Sequence, residues 1–108
     1  MTITLPPYGV DPELVERLVA LAQQTAKVER LLLYGSRARG DYTNRSDIDL
    51  ALDAPAMDII DFADFLVALN NLPCLFKIDL LRLQDLQNPA LHEQIAQDAI
   101  TLFSRPSP

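Results

Sequence analysis

The sequence predicts an α/β domain of the α+β kind, with its elements in the order αββαβα. Two segments, "DIDLALD" (Asp47 to Asp53) and "CLFKIDLLRL" (Cys74 to Leu83), alternate with the period of two expected of half-buried strands. Asp11-Pro12 and Asn88-Pro89 each place an N-cap acceptor before a proline suited to a first helical turn. Between and around these signals, apolar residues recur at helical spacing.

Taken in order, Asp11 caps a first helix whose Leu14, Leu18 and Leu21, flanked by Val15 and Ala22, form a stripe to about Ala26. "RLLLYG" (Arg30 to Gly35) is short, apolar and closed by glycine, which reads as strand one. After a charged loop, Asp47 to Asp53 form strand two, with Ile48, Leu50 and Leu52 on one face and Asp47, Asp49 and Ala51 on the other. "PAMDIIDFADFLVALNNL" has helical spacing, and Asn70-Asn71 gives it a stop. Cys74 to Leu83 form strand three, with Phe76, Ile78 and Leu80 opposite Lys77, Asp79 and Leu81. A last helix runs from Asn88 to about Phe103, with a wide stripe of Leu91, Ile95, Ala96, Ala99, Ile100, Leu102 and Phe103. The expected architecture is a small mixed or antiparallel sheet of three strands, covered by helices on one face. Residues 1–108 read as a single domain with a loose tail over 104–108.

A chain of 108 residues supports one modest core, and an apolar fraction of 49% with 22% charged residues marks it as globular rather than disordered. Nine Lys+Arg against fifteen Asp+Glu give a net charge of -6, without the broad basic footprint of a nucleic-acid binder. Yet Arg37, Arg39 and Arg45, three of seven arginines, fall within nine residues. Sparse positive charge gathered in one place suits a small anion. The lone Cys74, in the apolar run "LPCLF", reads as a structural thiol, and no intrachain disulfide is possible. The N-terminus "MTITLPPYGV" lacks the basic and apolar regions of a signal peptide, and no apolar run reaches membrane-spanning length. A cytoplasmic protein without a membrane partner is expected.

"YGSRARGDYTNRSDIDLAL" (Tyr34 to Leu52) carries more charge than a turn requires. Two aspartates at i and i+2 of a strand point the same way and repel, unless a cation lies between them or one takes up a proton. Carboxylates completed by water and phosphate are how proteins hold Mg²⁺; the plainer alternative is a solvated strand face. Gly35 lets backbone approach a ligand, the Ser36 hydroxyl and nearby amides can donate to phosphate oxygens, and "RARG" can start a short helix. Known phosphate loops are excluded. Gly35 and Gly40 have P-loop spacing, but Asp41-Tyr42 follows where Lys-Ser/Thr is required, and there is no G-x-G-x-x-G.

"GS", ten residues and "DID", with "GSRARG", "SDIDL" and the later "KIDLL" in order, resemble the G-S-x10-D-x-D signature of the minimal nucleotidyltransferase (MNT) domains of the DNA polymerase beta superfamily. The resemblance spans nearly the whole chain and implies a polymerase-beta-like nucleotidyltransferase fold. It implies that Gly35 and Ser36 hold the triphosphate of ATP, with Arg37 and Arg39 neutralising phosphate charge and Ser46 in support. It further implies that Asp47 and Asp49 bind Mg²⁺ (two ions), and that Asp79 completes the metal site and acts as general base. The turn after strand one meets Asp47-x-Asp49 if those strands are antiparallel. Asp79, late in strand three, reaches the start of strand two if that pair is antiparallel too. The acids could then converge on two metals about 3.5–4 Å apart.

Small free-standing domains of this kind resemble the antitoxin half of HEPN/MNT toxin–antitoxin pairs. That resemblance implies a protein adenylyltransferase which moves AMP from ATP to a tyrosine of a partner HEPN ribonuclease toxin, within a hetero-oligomer. Two alternatives stay open: nucleotidyl transfer to a small-molecule hydroxyl such as that of an antibiotic, and a non-enzymatic antitoxin acting by occlusion. Other polar residues read as ordinary surface. His92 lies on the last helix, Asp58, Asp61 and Asp64 suit a solvated helix face, and Lys77 is either a snorkelling strand lysine or a phosphate contact.

Overall fold

Leu31, Leu32 and Leu33 are all buried, so the segment that carries them is enclosed on both faces. Such a strand needs hydrogen-bonding partners on both edges. A computed structural model, which describes residues 7–106, supplies both. β1 (Arg30–Tyr34) pairs antiparallel with β2 (Ile48–Asp53) on one side and with β4 (Ile100–Ser104) on the other. β3 (Ile78–Arg82) adds to the far edge of β2 in parallel, giving the order β3-β2-β1-β4. A 3₁₀ turn at Pro7–Gly9 leads into α1 (Pro12–Gln24), and α2 (Ser36–Arg39) follows β1. α3 (Ile59–Asn70) connects β2 to β3, and a second 3₁₀ turn at Leu83–Asp85 precedes α4 (Pro89–Asp98).

The helix starts follow the sequence signals. Asp11 Oδ1 accepts from the Glu13 amide at 2.9 Å, and Asn88 Oδ1 accepts from the amides of Ala90 and Leu91. Asp58 and Asp61 form a reciprocal capping box at the start of α3, and Asp61 also takes Lys27 Nζ at 2.6 Å. Two of the three aspartates read as plain surface therefore fix a helix end. The main core lies between α1, α3 and one sheet face: Leu14, Leu18 and Ala22 meet Phe65 and Leu69 above Leu31, Leu33, Ile48, Leu50 and Leu52. Phe76, Ile78 and Leu80 pack against it, as their alternation predicts. Among the described residues, no helix is long and apolar enough to cross a membrane.

Four expectations need correction. The last helix stops at Asp98, not near Phe103: Ala99 turns extended, and Ile100 to Ser104 become β4. Short apolar runs fit either period, and here the open edge of β1 decides. The sheet thus has four strands. Second, α4 does not join α1 and α3; Ile95 packs with Leu32 and Ala51 on the opposite face, so helices lie on both sides. Third, β3 is parallel to β2, because a crossover through α3 separates them, and it starts at Ile78 rather than Cys74. Cys74 Sγ instead closes a tight turn with the backbone of Phe76.

Fourth, the tail is not loose from Ser104 onward. Ser104 belongs to β4, and the Arg105 amide donates to the Glu29 carbonyl at 2.7 Å. The Arg105 side chain donates to Val28 O at 3.0 Å and, at 3.2 Å each, to Ala22 O, Gln23 O and Thr25 O around the end of α1. Residues 107–108 lie outside the described range.

This anchor predicts that Arg105→Ala destabilises the fold by about 1–3 kcal/mol, the scale of lost charged hydrogen bonds. Urea unfolding should show a lower midpoint with an unchanged slope. An unchanged midpoint would show the contacts contribute nothing.

Candidate active site

β2 places alternate residues on opposite faces, so the burial of Ile48 and Leu50 sends Asp47 and Asp49 to the other side. The β2/β3 register sets Asp79 directly beside Asp49, and the β1/β2 register sets Tyr34 on its other flank. Asp79 is the second residue of its strand, not a late one. With the strands parallel, the start of β3 lies at the start of β2, which brings Asp79 beside Asp49.

Their proximity shows in their electrostatics. The Asp49 carboxyl is held above its ordinary value, first by burial, then by the charges of Asp79 and Asp47, with Arg39 opposing. The Tyr34 hydroxyl is pushed up to about 12 by burial and by the same Asp49 and Asp79 charges. Tyr34 therefore stays protonated beside the acids, a neighbour that strand alternation alone did not single out. Lys77 Nζ lies 3.6 Å from an Asp79 carboxylate oxygen, on the exposed side. Among the described residues, no three carboxylate, imidazole or thiol groups stand close enough to hold a metal ion by themselves.

Gly35 joins β1 to α2 at φ 75° and ψ -156°, a region that only glycine enters without strain. A Cβ there would lie 3.2 Å from Asp49 Cγ and would overlap a carboxylate oxygen. Glycine at 35 thus meets two demands, a turn and a close approach to the acid. Ser36 opens α2, which occupies the "RARG" stretch as expected. By helix geometry, its first amides have no acceptor within the helix.

The arginines divide. Arg39 is part exposed, pairs with Asp41 at 3.3 Å and lies near enough to Asp49 to pull its carboxyl down. Arg37 is turned inward with 2% exposure. Its guanidinium donates twice to Ser46 O, at 2.9 and 3.2 Å, and to Tyr8 O at 2.9 Å. It lies over the rings of Phe76, at 4.5 Å, and Tyr42, at 5.2 Å. This corrects the expectation for Arg37: in this arrangement its donors face backbone, not a phosphate. The Ser46 hydroxyl accepts from the Thr43 amide at 2.9 Å and shapes the turn before Asp47. His92 stays on the surface of α4, with Nε2 3.2 Å from Leu83 O. A groove of about 500 Å³ beside the start of α1, lined by Asp11, Arg17, Cys74 and Phe76, contains none of the three acids. Asp47, Asp49 and Asp79 are each half-buried.

Comparison with known proteins agrees with this fold. Residues 16–107 match the family described as polymerase beta, nucleotidyltransferase. A *Methanocaldococcus jannaschii* protein, provisionally named a protein adenylyltransferase, is 28% identical over 90 residues, covering 82% of this chain and 90% of its own. A toxin–antitoxin crystal structure with AMP-PNP superposes with a TM-score of 0.64 at 23% identity, over 84% of this chain and 73% of that one. The complex of tri-AMPylated *Shewanella oneidensis* HEPN toxin with its MNT antitoxin gives 0.64 at 20% identity, over 86% and 71%. A provisionally named minimal nucleotidyltransferase gives 0.58 at 28% identity, over 80% and 93%. By sequence match and by fold, the chain is a nucleotidyltransferase domain and belongs to the polymerase beta nucleotidyltransferase family.

Proposed function

We propose that this chain is a Mg²⁺-dependent protein adenylyltransferase of the cytoplasm, acting as the antitoxin to a HEPN-type ribonuclease toxin. It would transfer AMP from ATP to a tyrosine hydroxyl of that partner within a hetero-oligomer. The observation that carries the reading is the juxtaposition of Asp49 and Asp79 across the β2/β3 pair, with the Gly35 backbone against Asp49. The likeness to toxin–antitoxin structures supports the choice of partner.

The donor set fits the cation. Asp49 and Asp79 stand side by side, and burial first, then the charges of Asp79 and Asp47, raises the Asp49 carboxyl. Mg²⁺ is held through one or two carboxylates and completed by water and phosphate oxygens, so a full protein cage is not required. Asp47 and Asp49 would hold it, with Asp79 at its side. Bound there, it supplies neutralising charge to the triphosphate and to the oxygen leaving with pyrophosphate. The chain's own residues do the remainder. Gly35 and Ser36 bring backbone and hydroxyl against the phosphates, and Arg39 adds a cation beside Asp49. The acceptor oxygen bonds to the α-phosphorus as the bond from that phosphorus to pyrophosphate breaks. Asp79 takes the hydroxyl proton, and the electron pair leaves with pyrophosphate.

Three outcomes follow. Intact-mass measurement of a co-expressed HEPN-type partner, after incubation with ATP and Mg²⁺, should show added AMP. Asp79→Asn should slow that addition by about 10²-fold or more while keeping nucleotide affinity within a few-fold. Protection of cells by this variant with no modified partner would replace transfer by occlusion.

Gly35→Ala should weaken nucleotide binding and transfer together, because the methyl group must displace the Asp49 carboxylate. Titration with a non-hydrolysable ATP analogue reads this directly, and wild-type affinity would remove the glycine from the cradle.

A pH effect tests the acids without catalysis. Asp49 has a raised carboxyl, so above the ordinary value of 3.8 the folded chain binds more protons than the unfolded one. Wild-type stability therefore falls as pH rises through that raised range. Asp49→Asn should melt higher than wild type at pH 7 without Mg²⁺, with the gap closing as pH falls to about 3.8. Mg²⁺ should raise the wild-type melting temperature and leave the variant nearly unmoved. A variant that melts lower at pH 7 would show that the folded surroundings do not disfavour the Asp49 charge.

A further inference from the structure

We propose that Arg37 is a positioning residue, a buried latch that sets the distance between the Gly35–Ser36 turn and Asp47. The proposal deepens the transferase reading and rests on it for its kinetic part only. Arg37 sits one residue after the turn, while the carbonyl that takes two of its donors belongs to Ser46, one residue before Asp47. The two ends of the intervening loop are thereby fastened across the space where a triphosphate would lie. One face of the guanidinium group is covered by Phe76, which leads through Lys77 into Ile78 and Asp79. A single planar cation therefore touches all three chain segments that carry site residues.

The third carbonyl comes from outside the motif. Tyr8 accepts from Arg37 Nη1 at 2.9 Å, and it does so from φ 62° and ψ 15°, the left-handed region that a non-glycine residue enters at a cost. Gly9 follows at φ 67°. A Cβ on Gly9 would stand 2.5 Å from the Tyr42 ring and 2.7 Å from Arg37 Nη1. Two consecutive left-handed residues thus lay the N-terminal turn directly on the guanidinium group and the ring stacked on it. Strain at Tyr8 persists only where its surroundings hold it, and the bond to Arg37 is one such hold. Lysine in place of Arg37 would keep the charge but lose the planar fork that reaches two carbonyls at once.

A phosphate ligand and a latch differ in the unliganded protein. Hydrogen–deuterium exchange should show that Arg37→Lys speeds exchange at residues 8–10 and 41–47 together, although these segments lie far apart in sequence. Arg39→Lys should leave both near wild type. In transfer assays, Arg37→Lys should lower kcat by about 10- to 100-fold, the scale of a small misplacement, while the Kd for a non-hydrolysable ATP analogue changes less than about threefold. Gly9→Ala, which removes no charge, should reproduce both effects, and it decides the matter alone if Arg37→Lys does not fold. Unchanged exchange at the two segments would overturn the proposal, as would a Kd rising tenfold with kcat intact. Wild-type protein that transfers no AMP would sink the transferase reading and leave the exchange result to judge the latch.

Discussion

Strand β2 holds opposite chemistries on its two faces, and the rest of the site depends on its register. Ile48, Leu50 and Leu52 have no exposed surface, and burial of each such side chain contributes about 1.5–3 kcal/mol. A slip of one residue would exchange these for Asp47, Asp49 and Ala51, or for Asp49, Ala51 and Asp53, putting two carboxylates into the core. The core thus enforces a juxtaposition that electrostatics opposes. Asp49 and Asp79 stand side by side because Ile48 pairs with Ile78 and Leu50 with Leu80. The apolar face supplies the free energy and the acidic face holds the repulsion, which a bound cation would relieve.

Cations are few in this acidic chain, and three of its seven arginines serve the backbone. Arg37 ties the phosphate turn to Ser46 and Tyr8. Arg82 donates to Ala54 O at 3.1 Å and to Met57 O, bracing the entry to α3, and pairs with Asp85. Arg105 gathers the carbonyls at the end of α1. In each case one guanidinium group bridges two or more backbone carbonyls at helix ends or in loops. Arg39, Lys77 and the amides at the start of α2 stand near the acids, and the exposed Arg45 lies two residues before Asp47. That scarcity fits a site that handles one triphosphate with the help of a divalent ion, and it disfavours a surface that grips a polyanion.

The sequence by itself determined the parts of this protein that depend on local periodicity and spacing. Alternation in "DIDLALD" and "KIDLL" assigned every acid to its face, cap-plus-proline pairs located α1 and α4, and the "GS…DID" spacing led to the family. It even held an unused sign of the parallel pair, since strand–helix–strand order ordinarily makes a crossover. Tertiary structure alone decided three matters. Whether "AITLFS" is helix or strand depends on a vacant edge of β1, which no local period reports. Which side α4 covers depends on Leu32 and Ala51, the apolar residues farther along the acidic face. Finally, Arg37 and Arg39 sit two apart in one short motif and look alike in sequence. Only packing sends one guanidinium group between two rings and leaves the other beside Asp49, because side-chain direction on a single helical turn is set by what surrounds it.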